Sequence, residues 1–265
     1  MNFSLLTYNT FFNNGVNELK KIISYYSPDF ICLQEFLIDQ LNIKNIEKCG
    51  YKIADYNNSF IKLGKIYGVA TFYNKEKFKL VENGFFDLSK NVSEYFFNAI
   101  KIFFDSKHQP RTVLKTDFIE KKSKKKLSII NLHFFVIATN QARVSSLKKI
   151  LERINLLNKE KMIICGDFNY YPYQRKKLEN LMKKYHFKEA TKNISLTINP
   201  IKESSTIVKN YLPIQKFILV PIFKKFFSKT LKIDYIFYRR LKNIKTLKLE
   251  NHYSDHYPII SYFQL

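Results

Sequence analysis

The chain has 265 residues, 46% of them hydrophobic, which suits one large α/β domain or two small ones and excludes a disordered chain. Its 45 Lys and Arg outnumber 22 Asp and Glu to give a net charge of +23, a balance that favours polyanionic partners, either nucleic acid or an anionic membrane surface. Three cysteines lie outside any CxxC or Cys/His zinc spacing, and neither a secretory signal nor a run of about 18 apolar residues is present. The chain therefore reads as reduced and intracellular, cytoplasmic or nuclear.

Phe3 to Tyr8 alternates as a strand, and Val16 to Tyr26 follows with helical apolar spacing that Pro28 stops. Phe30 to Leu33 is a short buried-strand run, Phe36 to Ile46 is weakly helical, and Tyr67 to Tyr73 is a strand. Residues 90–110 have no clear pattern. Thr112 to Ile119 and Leu127 to Val136 predict a hairpin joined by a solvated basic turn from Glu120 to Lys126. Gln141 to Leu157 predicts an amphipathic helix, Lys161 to Cys165 a buried strand, Leu178 to Tyr185 a helix, and Ile233 to Tyr238 and Pro258 to Phe263 two closing strands. Strands and helices alternate throughout, without repeats or a Gly/Ser linker, which predicts one α/β domain over residues 1–265. A basic, apolar stretch at about 201–230 interrupts the rhythm.

Polar residues gather at strand ends: Asn9, Gln34 and Glu35, Asn131 and His133, Asp167 and Asn169, Asp234, and Ser254-Asp255-His256. Strand ends in α/β folds converge on one crevice. Carboxylates with amide oxygens and no sulfur suit a hard cation such as Mg²⁺, with Mn²⁺ as the alternative, and such a cation points to phosphate chemistry. Each residue alone has a plainer explanation, a surface Glu or a helix-capping Asp, but their order along the chain argues for a site.

LLTYNT, DFICLQE, NLH, GDFN, KIDYIFY and SDHYPI, taken in order from Asn9 to Pro258, resemble the signatures of the endonuclease/exonuclease/phosphatase superfamily. The resemblance implies a four-layer sandwich, two mixed sheets face to face with helices outside. It implies that Glu35, Asn9 and Asp255 serve the metal, that Asp167 activates water, and that Asn169 holds the phosphate. It pairs Asp234 with a charged His256, makes His133 a general acid, and sets Arg111 and Asn131 against substrate phosphate.

Within that superfamily, NLH stands where abasic-site endonucleases carry Tyr-x-Pro-Asn, and Tyr170-Tyr171-Pro172 stands where inositol polyphosphate 5-phosphatases carry an Arg. No acid lies between Asp55 and Glu76, where pancreatic-type DNases place the glutamate that pairs with the NLH histidine, so His133 is expected to be mostly neutral and a weaker acid than His256. The resemblance fits a nucleic-acid phosphodiesterase, nuclease or end-processing. The alternative is a sphingomyelinase-like phospholipid phosphodiesterase or phosphatase touching membrane through 212–230, and a third reading is a non-catalytic binding protein. Segment 212–230 is open to three uses: a packed loop, an interfacial segment or a nucleic-acid groove.

Overall fold

The computed structural model describes residues 1–62, 64–86, 111–134, 138–155, 160–199 and 231–265, and of Arg111 and Asn155 the backbone alone. The stretch 90–110, the ends of the predicted hairpin at Val136 and helix at Leu157, and the insertion at 201–230 lie outside the described residues. The strands are β1 (Asn2–Asn9), β2 (Phe30–Leu37), β3 (Tyr51–Lys62), β4 (Lys65–Asn74), β5 (Phe78–Phe85), β6 (Arg111–Glu120), β7 (Lys126–Phe134), β8 (Met162–Asp167), β9 (Lys188–Glu189), β10 (Asp234–Arg239), β11 (Lys242–Lys248) and β12 (Ile259–Gln264). The helices are α1 (Val16–Tyr26), α2 (Gln40–Glu47), α3 (Asn140–Asn155) and α4 (Arg175–Lys184).

Two mixed sheets form, ordered β11-β12-β1-β2-β4-β3 and β5-β6-β7-β8-β10-β9. Alternation within each inner strand sends side chains to both faces. Phe3, Leu5, Phe30 and Cys32 of the first sheet meet Ile129, Ile163, Cys165 and Ile236 of the second in one buried layer. Leu6, Tyr8, Ile31 and Leu33 point outward onto Val16, Leu19, Ile22 and Ile23 of α1. Ile130, Leu132 and Ile164 pack outward onto Leu147, Ile150 and Leu151 of α3 and Leu178 and Met182 of α4. The order is thus helices, sheet, sheet, helices, the four layers expected. Cys32 and Cys165 are buried and Cys49 is exposed.

Two expected boundaries change. Phe36 and Leu37 continue β2 instead of opening a helix. The helix starts only at Gln40, because the Asp39 carboxylate accepts from the Asn42 N–H at 2.7 Å and caps it.

Asn131 also has a different task from the substrate contact expected of it. It is fully buried. Its Nδ2 donates to the Leu33 and Ala70 carbonyls at 3.2 and 3.0 Å, and its Oδ1 accepts from Gln34 Nε2 at 2.7 Å. These bonds cross from β7 to β2 and β4, so Asn131 ties the two sheets together just below the strand ends. Reaching a substrate would strand several buried polar groups. Asn131→Ala should accordingly lower stability by about 2–4 kcal/mol, read by denaturant unfolding at constant m; an unchanged midpoint would contradict the tie.

Candidate active site

Strand pairing brings the polar residues to one place. Parallel pairing of β1 and β2 sets Asn9 beside Gln34. Parallel pairing of β7 and β8 sets His133 beside Asp167, and antiparallel pairing of β8 and β10 sets Asp167 beside Asp234. Gly166 makes the second of these possible. Its φ is +129°, and a Cβ there would lie 2.0 Å from the Leu132 carbonyl oxygen, so only glycine lets β8 run this close to β7.

Glu35 reaches the site through a bulge. Between the pairs Leu33↔Ala70 and Phe36↔Gly68, β2 has two residues where β4 has one, and Glu35 takes φ +51°. Asn169, just past β8, is also left-handed at φ +47°. Non-glycine residues in this conformation cost roughly 1–3 kcal/mol each and cluster at functional sites.

Hydrogen bonds then join the two sheets across the gap. Asn9 Nδ2 donates to Glu35 Oε1 at 3.3 Å and to Asp167 Oδ2 at 3.0 Å. The Asn169 N–H donates to Asp167 Oδ1 at 2.8 Å, while one Asn169 Nδ2 hydrogen goes to the Phe134 carbonyl at 2.8 Å, leaving a second hydrogen for another acceptor. His256 Nδ1 lies 3.0 and 2.9 Å from the two Asp234 oxygens, and its Nε2 faces Asp167 Oδ2 at 3.8 Å. Ser254 Oγ donates to the Asn9 carbonyl and accepts from the His256 N–H, which fastens the SDH turn to the end of β1. Thr197 Oγ1 accepts from the backbone N–H groups of Ile233 and Asp234 at 3.0 Å and so places Asp234. Thr197 was invisible as a site residue, being one hydroxyl in a loop without a motif.

The β4 strand supplies no acid, yet His133 Nε2 sits 3.8 Å from Glu35 Oε1 and 3.6 Å from Asp167 Oδ2. Both carboxylates come from other strands, β2 and β8. Arg111 pairs opposite Phe134 through its backbone, and its side chain lies outside the described residues.

Burial and crowding govern the charges. Burial, then the nearby Asp255 charge, pushes the Glu35 carboxyl up to about 7. Burial also pushes Asp167 up to about 8, against the pull of His256, and raises Asp255. Burial alone would lower His256, but Asp234 and Asp167 outweigh it and hold the imidazolium well above the usual histidine range.

A divalent cation fits this donor set. Glu35 Oε2 and Asp255 Oδ1 are buried and without a hydrogen-bond partner, which is the state of oxygens built for a cation. Atoms of Asp167, Asp234 and His256 also lie within 4.8 Å of one another. Asp234 and His256 are bonded to each other, however, which occupies the atoms a cation would need. Asn9 faces the carboxylates with its nitrogen while its Oδ1 accepts from the Phe11 N–H at 3.0 Å, so it bridges them as a donor instead of serving as an oxygen ligand.

The sequence model of the Endonuclease/Exonuclease/phosphatase family matches residues 6–256, and the chain belongs to that family. Its members are hydrolases that act on phosphoesters and generally use a divalent metal. The chain is 27% identical over 205 residues to the RNA exonuclease NGL2 of Saccharomyces cerevisiae; the match takes in 68% of this chain but only 38% of that protein. The human nocturnin catalytic domain with bound sulfate superposes with a TM-score of 0.69 at 17% identity, over 99% of this chain and 93% of that one. A mannosyl-6-phosphatase of Bacteroides thetaiotaomicron VPI-5482 superposes with a TM-score of 0.70 at 18% identity, over 99% and 100%. Both structures share the fold. Among the described residues no helix is long and apolar enough to cross a membrane.

The raised carboxyls set a pH test. Glu35 and Asp167 hold protons more tightly folded than unfolded, so their contribution to stability is complete below the ordinary carboxylate range and is lost as pH rises through about 7 to 8. A cation binds the deprotonated groups. Mg²⁺ should therefore raise the melting temperature more at pH 8 than at pH 5, and Glu35→Gln should shrink that difference. An equal Mg²⁺ shift at both pH values, or no shift at either, would count against the cation site.

Proposed function

We propose that the chain hydrolyses phosphodiester bonds in nucleic acid with a divalent cation, magnesium or manganese, held by Glu35 and Asp255 with Asn9 beside them. The observation that carries this reading is the meeting of Asp167 with the Asp234–His256 pair in the gap between the sheets. When bound, the cation neutralises charge on the phosphoryl oxygens.

The protein groups do the rest by position. Asp167, held by Asn9 on one oxygen and by the Asn169 N–H on the other, orients an attacking water and takes its proton. Asp234 fixes the His256 ring so that Nε2–H is left to donate to a phosphoryl oxygen as negative charge builds there. The second Asn169 amide hydrogen is available to a phosphate oxygen. His133, across Asp167 from His256, protonates a leaving oxygen; its nearness to Asp167 supports that role. Two facts support nucleic acid as the substrate: the net charge of +23 and the likeness to a protein named as an RNA exonuclease.

Asp167→Asn and His256→Ala should each lower kcat on a small nitrophenyl diester by roughly a hundredfold or more without unfolding the chain. Chelator should abolish wild-type hydrolysis and Mg²⁺ restore it. Parallel assays on an RNA oligonucleotide, sphingomyelin vesicles and a phosphomonoester decide the substrate: cleavage of the oligonucleotide with steep loss of binding in salt is expected. Folded, fully active variants, or full activity in chelator, would overturn the chemistry. Hydrolysis of lipid or monoester in preference to RNA would overturn the substrate.

A further inference from the structure

The turn after GDFN carries three tyrosines with three different fates. Tyr170 is buried and its hydroxyl donates to the Gln174 carbonyl, so it serves the core. Tyr171 is half-buried. Tyr173 is 55% exposed, yet its position is tightly held. Asn140, the first residue of α3, donates from Nδ2 to the carbonyls of Tyr171 and Tyr173 at 3.0 and 2.7 Å and accepts at Oδ1 from the Tyr171 N–H at 3.1 Å. Arg143, one turn along, donates to the same Oδ1 at 3.1 Å and lays its buried guanidinium 4.7 Å from the Tyr171 ring centre. The Tyr171 and Tyr173 rings lie almost parallel, 11° apart in tilt, with centres 6.1 Å apart.

An exposed aromatic on a mobile loop is ordinary surface. Here the exposed ring lies against Tyr171, which Arg143 covers, and its own carbonyl is held by Asn140, so the turn presents a flat ring on a backbone already fixed before anything binds. Tyr173 stands four residues beyond Asn169 in the chain. Phe12, in the turn after β1, packs edge-on against Phe60 and Tyr67 of the opposite sheet, and Lys62 Nζ sits 3.5 Å above the Phe12 ring. The Phe12 backbone N–H faces the Glu35 carboxylate, so this second aromatic wall borders the other side of the same gap.

Building on the nucleic-acid reading, we propose that the Tyr171–Tyr173 step is a nucleobase-stacking subsite, in which a base neighbouring the phosphate held at Asn169 lies on the outer face of Tyr173. Stacking on a ring needs an unpaired base face, and rings paired with cations on both sides of the gap suit an unpaired strand crossing it. The subsite therefore makes single strands the preferred substrate over duplex. The chain's charge of +23 matches the polyanion that would carry the base.

The test pairs a variant with a modified substrate. Tyr173→Ala, Tyr173→Trp and wild type are assayed on a single-stranded oligonucleotide, on the same strand with an abasic residue on either side of the cleaved phosphate, on the matching duplex, and on a small nitrophenyl diester. For wild type, one abasic position should raise KM about tenfold with little change in kcat, and the duplex should be the poorer substrate. Tyr173→Ala should show the same rise on the intact strand and none further on the abasic one; Tyr173→Trp should restore wild-type KM; the small diester should be cut alike by all three. If wild type cuts the small diester but no polynucleotide, the nucleic-acid reading fails and takes the subsite with it. If wild type cuts the oligonucleotide and Tyr173→Ala leaves KM unchanged, the subsite alone fails. Equal loss on the oligonucleotide and the small diester would assign Tyr173 a structural task and overturn the subsite as well.

Discussion

Four buried carboxylates, Glu35, Asp167, Asp234 and Asp255, share one gap between two sheets, and the cost of placing like charges together out of water shapes the arrangement around them. Asp234 is answered by His256, and Asp167 by donors from Asn9 and Asn169. Glu35 and Asp255 each keep an oxygen without a partner. The negative charge is therefore only partly met by the protein's own groups. Burial and crowding answer the shortfall by raising the Glu35, Asp167 and Asp255 carboxyls.

The two sheets meet at this gap because apolar layers hold them face to face and because Asn131 and Gln34 fix how far the strand ends slide past one another. A single amide, spanning from β7 to β2 and β4, thus sets the separation across which Asn9 reaches both Glu35 and Asp167. The sequence pattern presents Asn131 as one more polar residue near a strand end, like its neighbour His133. The two lie on the same face of β7, two residues apart, and differ in how deep they lie and in what the partner sheet sets against them, which is not visible without that sheet.

The strands legible from pattern alone are those inside the sheets: β1, β2, β4, β6, β7, β8, β10 and β12 all show apolar runs or alternation strong enough to read. The strands that escaped, β3, β5, β9 and β11, are the four edges. Edge strands face water along one side and carry charge there, which guards them against pairing with another chain and erases the apolar signature. YKIADYNNSFIK and KNIKTLK are of this kind. The site was legible for a related reason. Asp167, Asp234, Asn9 and His256 sit where apolar inner strands stop, so the change from apolar to polar marks them. Thr197 lies in a loop without such contrast, and the carboxylates beside His133 come from strands distant in sequence.

The left-handed backbone at Glu35 and Asn169 is a cost in stability written into the fold. A glutamate is poorly suited to that conformation, and glycine, or asparagine at position 35, would hold the bulge with less strain. Glu35 thus spends stability on its conformation, and the bulge it sits in aims a bare carboxylate oxygen into the gap between the sheets.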